Sequence, residues 1–144
     1  MYSNTITLFN YSEQTKLWYP HVIPGCDLIA ANAKTSGSSG QGNSDAVDLI
    51  INCTASKQIT TTAGAQSYTG PKAFAAEAAP AALITFTPQR DFFLDGIWNG
   101  ASTIDEDDYE SGFYNEMNKT TDGIYLITSA TFYGLLPHFE IGGR

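Results

Sequence analysis

The sequence predicts an all-β chain, a small β-barrel or sandwich with long loops and one short α-helix, and three observations carry that prediction. Residues 45–53 alternate cleanly, placing Val47, Leu49, Ile51 and Cys53 on one side, which is the period of a half-buried strand. Residues 124–133 (IYLITSATFY) form a long run of β-branched and aromatic side chains that, after Gly134 and Pro137, returns through residues 138–141 (HFEI). A closing strand pair is expected there. Tyr109, Phe113 and Met117 stand four apart, the spacing of one helical face.

The remaining elements follow in chain order. Residues 5–9 (TITLF) alternate, with Thr5, Thr7 and Phe9 on one face and Ile6 and Leu8 on the other, so the N-terminus is expected to be tied into a sheet. Residues 17–23 (LWYPHVI) are interrupted by Pro20 and then by Pro24-Gly25. Proline lacks the N–H that a central ladder needs, so an edge or bulged strand is predicted, with extended chain continuing from Cys26 to Ala31. Residues 34–44 contain no hydrophobic side chain and three glycines, the composition of a mobile loop.

Residues 54–82 are rich in small residues and read as a long irregular excursion; a single helical turn at residues 75–79 would be stopped by Pro80. Residues 83–87 (LITFT) restart the sheet. Phe92, Phe93 and Leu94 then run through Asp95-Gly96 into Ile97 and Trp98, the pattern of a tight hairpin. The predicted helix spans about residues 105–118, with four acids in its first turn or so and Lys119 near its end, a charge order that suits the helix dipole.

A chain of 144 residues, 42% of them hydrophobic, is long enough for one core and short for two, so a single domain over residues 1–144 is expected. Its net charge is −8, from 7 Lys plus Arg against 15 Asp plus Glu. Such a surface repels phosphate and argues against tight nucleic-acid binding. The N-terminus lacks a basic stretch followed by an apolar run of signal length, and no apolar run approaches the ~20 residues of a membrane span. A soluble protein made in a cytoplasm is the expectation.

No nucleophile, base and orienting acid come together in the sequence, so no catalytic residue is assigned and an enzyme is not expected. Asp91, Asp95 and Glu140 lie near strand ends, where acids usually form turns. The acidic run at residues 105–110 fails as an EF-hand, because Tyr109 and Glu110 occupy the fifth and sixth loop positions. His21, Cys26, Cys53 and His138 lack the close paired spacing of zinc ligands. Neither a metal nor a cofactor is therefore expected, and both cysteines are read as buried thiols rather than a disulfide.

The order of segments has a likeness. Residues 5–10 (TITLFN), 18–28 (WYPHVIPGCDL), 91–98 (DFFLDGIW) and 122–130 (DGIYLITSA), ending in 136–141 (LPHFEI), together resemble the small neck proteins of tailed bacteriophages. Head-closure proteins and related minor structural proteins are the nearest in kind. The resemblance covers residues 5–53 and 83–141. It implies a structural virion protein of the neck, assembled in the host cytoplasm as a ring of six or twelve copies between portal and tail proteins.

That ring would enclose double-stranded DNA without gripping it, and would involve no membrane. The resemblance maps a channel-narrowing loop onto Lys34, Thr35, Ser36, Gly37, Ser38, Ser39, Gly40, Gln41, Gly42, Asn43 and Ser44. Trp18, Tyr19, Trp98 and Tyr133 are the aromatics expected at subunit contacts. A tail-completion or tail adaptor protein fits the same pattern. A reading from another class is a β-sandwich receptor- or carbohydrate-binding module whose Trp18, Trp98 and tyrosines meet the ligand.

Overall fold

The computed structural model describes residues 2–30 and 45–144. The expected loop at residues 34–44 lies outside them. The fold is all-β, a six-stranded barrel with one further strand on its outside, a separate three-stranded sheet and a short helix.

Strand β1 (Asn4–Ser12) starts the barrel and is buried on both faces: Ile6 and Leu8 point into the barrel, while Phe9 points outward into a second apolar cluster. β1 pairs along its length with β2 (Leu17–Ala30), and this seam closes the barrel. The turn between them places Lys16 at φ 60. β2 is one 14-residue strand despite its prolines. Pro20 sits opposite Phe9 in the β1 ladder, and on its other side the pairing with β8 (Ile104–Asp105) stops at Trp18, short of Pro20. No N–H is needed from Pro20 on that outer side. The expected bulge is present: the register slips between Asn4 and Ile6, opposite Pro24-Gly25, where Gly25 takes φ 71.

The far half of β2 pairs with β3 (Val47–Asn52), whose Val47, Leu49 and Ile51 are buried as the alternation predicts. β3 pairs with β10 (His138–Gly143), β10 with β9 (Ile124–Tyr133), and β9 with β7 (Phe92–Leu94), which returns to β1. The predicted closing strand pair is therefore β9 and β10. β9 changes phase partway. Tyr125 and Ile127 pack into the barrel core, and then Ala130 and Phe132 do so, because the register shifts between Gly142 and Gly143 of the partner strand. A Cβ on Gly143 would lie 3.0 Å from the Phe93 ring, so the close approach there depends on glycine.

Five expectations need correction. Residues 54–82 are ordered rather than irregular: β4 (Gln58–Thr61) and β5 (Gly64–Tyr68) form a hairpin, followed by α1 (Pro71–Ala75) and a 3-10 turn at Pro80–Ala82. Ile59 is the apolar anchor hidden among the small residues, fully buried against the barrel core. The helical turn falls at residues 71–75, not 75–79, because Pro71 supplies a preset first helical position. Of residues 83–87, only β6 (Leu83–Ile84) is a strand, parallel to β5 and outside the barrel.

The Asp95-Gly96 hairpin does not form. Both edges of β7 are already taken, by β1 and β9, so Ile97 and Trp98 have no ladder to join. The chain instead loops over β1, where Thr7 Oγ1 donates to Gly96 O at 2.9 Å and accepts from Trp98 N at 3.0 Å. The acidic run is likewise not the start of the helix. Glu106–Asp108 is a 3-10 turn capped by Asp105, and α2 (Phe113–Thr120) begins after Gly112 at φ 90. Phe113 and Met117 are buried and Tyr109 packs beside them, so the apolar stripe holds although the helix is shorter.

Candidate assembly surface

Burial shows where the apolar surface is left uncovered. Among the described residues, five large hydrophobic side chains are exposed: Tyr2 at 52%, Ile97 at 58%, Tyr133 at 45%, Leu135 at 94% and Leu136 at 78%. Four of these gather at one place, the tip of the β9–β10 hairpin and the cleft at its base. Scattered exposed leucines are ordinary, whereas a cluster at a projecting tip marks contact surface.

The tip is braced from inside. The Tyr133 and His138 rings stack with centroids 5.1 Å apart and planes at 13°. His138 Nδ1 lies 2.6 Å from the Leu136 carbonyl and Nε2 lies 3.1 Å from Glu140 Oε2. Both partners are acceptors, so both bonds are made at once only by the imidazolium. The Leu136 carbonyl and then the Glu140 carboxylate accordingly raise the His138 pKa above its ordinary value. Cys53 N donates to Pro137 O at 3.3 Å, tying the turn to the end of β3. Beneath it, Tyr2, Asn52, Cys53, Leu136, Pro137 and His138 line a cleft of about 410 Å³. Two leucines thus stand in water on a turn tied down through His138 and Pro137.

Of the aromatics expected at subunit contacts, Tyr133 belongs to this surface. Trp18 does not, since it is 2% exposed and packed within its own chain against Phe92, Phe113 and Tyr11, and Tyr19 is buried as well. Trp98 is half-buried, edge-on to Phe9, with its indole N–H on Ala101 O at 2.9 Å. Sequence reasoning missed Leu135, Leu136 and Tyr2. The signal was available: two leucines between Gly134 and Pro137 occupy a turn where polar residues are usual.

The acid nearest to a catalytic profile is Asp91, and its geometry is structural. It is fully buried; Oδ1 accepts from Tyr11 N at 3.0 Å, and Oδ2 accepts from Asn10 Nδ2 and Thr87 N, each at 2.9 Å. Asn10 also donates to Thr85 O at 2.7 Å, completing a tie between β1 and the residues entering β7. Burial pushes the Asp91 pKa up to about 7 against the pull of those donors. The neighbouring cavity of about 300 Å³ is lined by Tyr11, Glu13, Phe74, Thr87 and Arg90 among others, but not by Asp91. A fully buried carboxyl whose oxygens are both already engaged has no route to a substrate.

His21, Cys26, Cys53 and His138 are not brought together, and among the described residues no three His, Cys, Asp or Glu side chains form a metal-binding group. Cys26 is buried with its thiol pushed up to about 12 by desolvation, Cys53 is half-buried, and both are free. His21 is held neutral by burial, with its pKa lowered to about 4, and its Nε2 has no hydrogen-bond partner in good geometry. No described helix is long and apolar enough to cross a membrane.

The fold is a small closed β-barrel that leaves a group of apolar side chains exposed at one hairpin tip. Over residues 1–144 the chain matches the model of a family of unknown function, DUF6751, and it belongs to that family. No curated protein and no solved structure matches it.

Proposed function

We propose that the chain is a structural subunit that assembles with copies of itself through the β9–β10 tip, in the manner expected of a phage neck protein. In that role a ring of six or twelve copies sits between portal and tail proteins and narrows the DNA channel. The observation that carries this reading is the pair Leu135 and Leu136, 94% and 78% exposed on a braced turn. A barrel that hides nearly every other large apolar side chain leaves these two in water, and an interface would remove them from it.

Charge supports the same reading. A chain of net charge −8 gives passing duplex DNA no cationic track, so DNA can slide without adhering. The ligand-binding alternative loses its main platform, because Trp18 is spent on the core. The test is to measure mass and shape in solution by mass photometry and negative-stain microscopy. Rings with an opening wide enough for duplex DNA are expected, and Leu135→Ser with Leu136→Ser should shift the population to monomers. Submicromolar binding to duplex DNA with a steep salt dependence would overturn the non-adhesive channel.

A further inference from the structure

A ring of identical subunits needs two different patches that fit each other, since a patch that fits only itself stops at a dimer. The tip is one patch. The fifth exposed large hydrophobic, Ile97, supplies the other. It lies in the loop after β7, beside the start of β9, because Leu94 pairs with Ile124 and Asp95 N donates to Gly123 O at 2.8 Å. The tip lies at the other end of β9, ten residues and roughly 30 Å along the strand. The two patches therefore lie at opposite ends of one strand, so each copy can offer one to each of two neighbours.

Their rims differ in sign. Ile97 is flanked by Asp95 and Asp122, both exposed. The tip is flanked by His138 and by Lys57, whose ammonium sits 4.7 Å from the Phe132 ring and in no ion pair among the described residues. Glu140, a carboxylate on this side, is engaged by His138. Tip against tip would bring Lys57 toward its own copy, whereas tip against Ile97 joins Lys57 to carboxylates. We infer that the β9–β10 tip of one copy seats Leu135 and Leu136 on the Ile97 patch of the next, with Lys57 facing Asp95 and Asp122. This rests on the ring reading above and specifies its interface. Each contact is small, and closure of the ring supplies the avidity that a single contact lacks.

The test is site-directed crosslinking in a Cys53→Ala background, with Leu135→Cys and Ile97→Cys made separately and then mixed under oxidation. Dimers bridged from 135 to 97, identified by the mass of the linked peptide, are expected to dominate the mixture. A chain carrying both changes should give a ladder ending in one closed species. Dimers forming as fast from Leu135→Cys alone would overturn the pairing in favour of a tip-to-tip contact. As a second reading, Lys57→Glu should weaken association about tenfold, and mixing it with Asp95→Lys should restore it. Rings in the microscope without a 135–97 bridge would sink this pairing and leave the ring standing. Monomers at every concentration, in parent and variants alike, would sink both.

Discussion

The barrel interior and the cluster beneath α2 are two cores of one chain built on different logic. Inside, aliphatic side chains from almost every barrel strand meet: Ile6, Leu8, Ile23, Leu49, Ile51, Ile127 and Ile141, with Phe93 and Phe139 among them. Outside, Phe9, Trp18, Phe92 and Phe113 pack ring against ring, with centroids 4.7 to 5.9 Å apart, and hold the helix to the wall. Each core also has its own carboxylate. Asp91 joins β1 to the chain before β7 deep inside, while Glu106 Oε1 at the rim accepts from Trp18 Nε1 at 2.7 Å and from Phe113 N at 3.0 Å. The inner core is the barrel, and the outer one attaches a helix to it.

If that division is right, the same truncation should behave differently in the two places. Phe93→Ala should cost about 3–5 kcal/mol in urea unfolding and lower protection of amides throughout the barrel. Phe113→Ala is expected to cost somewhat less, about 2–4 kcal/mol, and to release α2 first. Hydrogen exchange distinguishes the two outcomes. Equal loss of protection in barrel and helix after Phe113→Ala would show that the two cores are one cooperative unit.

The inner carboxylate sharpens the comparison through pH. Its folded pKa of about 7 is raised above the ordinary 3.8, so its contribution to stability is complete below about pH 4. That contribution is lost as pH rises toward 7, by about 1.4 kcal/mol per unit over the window. His21 runs the other way. Its folded pKa of about 4 lies below 6.5, so its contribution is present above pH 6.5 and is lost as pH falls. The two slopes oppose each other between about pH 4 and 6.5. Asp91→Asn should therefore uncover acid lability absent from the parent, with a larger stability loss relative to the parent at pH 5 than at pH 8. A loss that is the same at both values would remove the proton from the account.

Smaller effects belong to the rim and the tip. Glu106→Gln should cost about 1–2 kcal/mol by weakening the charge-assisted bonds to Trp18 and to the first turn of α2, with thermal melting as the measure. Leu135→Ser should change the stability of the monomer by less than about 0.5 kcal/mol, since its side chain packs on almost nothing. Any effect on assembly from so neutral a change would locate the contact.

The inner core was the legible one. Alternation at Val47, Leu49 and Ile51 is a local pattern, since a strand facing a barrel interior keeps its period, and the run from Ile124 to Tyr133 was legible from its β-branched and aromatic composition although its phase shifts partway. The outer core was not legible in this way. Phe9, Trp18, Phe92 and Phe113 lie in four segments, and nothing local in the sequence says that they meet. The Asp95-Gly96 turn misled because its local chemistry suits a hairpin, while β1 and β9 had already occupied both edges of Phe92–Leu94. Glu106 misled likewise: in an acidic run it reads as one solvated charge among several, yet it receives the first N–H of α2 from outside the helix. At the tip, Leu135 and Leu136 were visible in the sequence, but their exposure depends on how the turn is braced.

The seam between β1 and β2 has a consequence for how the protein behaves at high concentration. A closed sheet offers no row of unpaired main-chain groups, so another copy has no template on which to add a strand. Among the described residues, the strands left at sheet edges are short: β8 pairs at two positions, β6 pairs at two with β5, and β4 has four residues. Any contact between copies would then be made by side chains, which can be broken and remade, rather than by backbone zippering of the kind that leads to fibres. A protein built this way can accumulate to high local concentration and still find its register by trial and release.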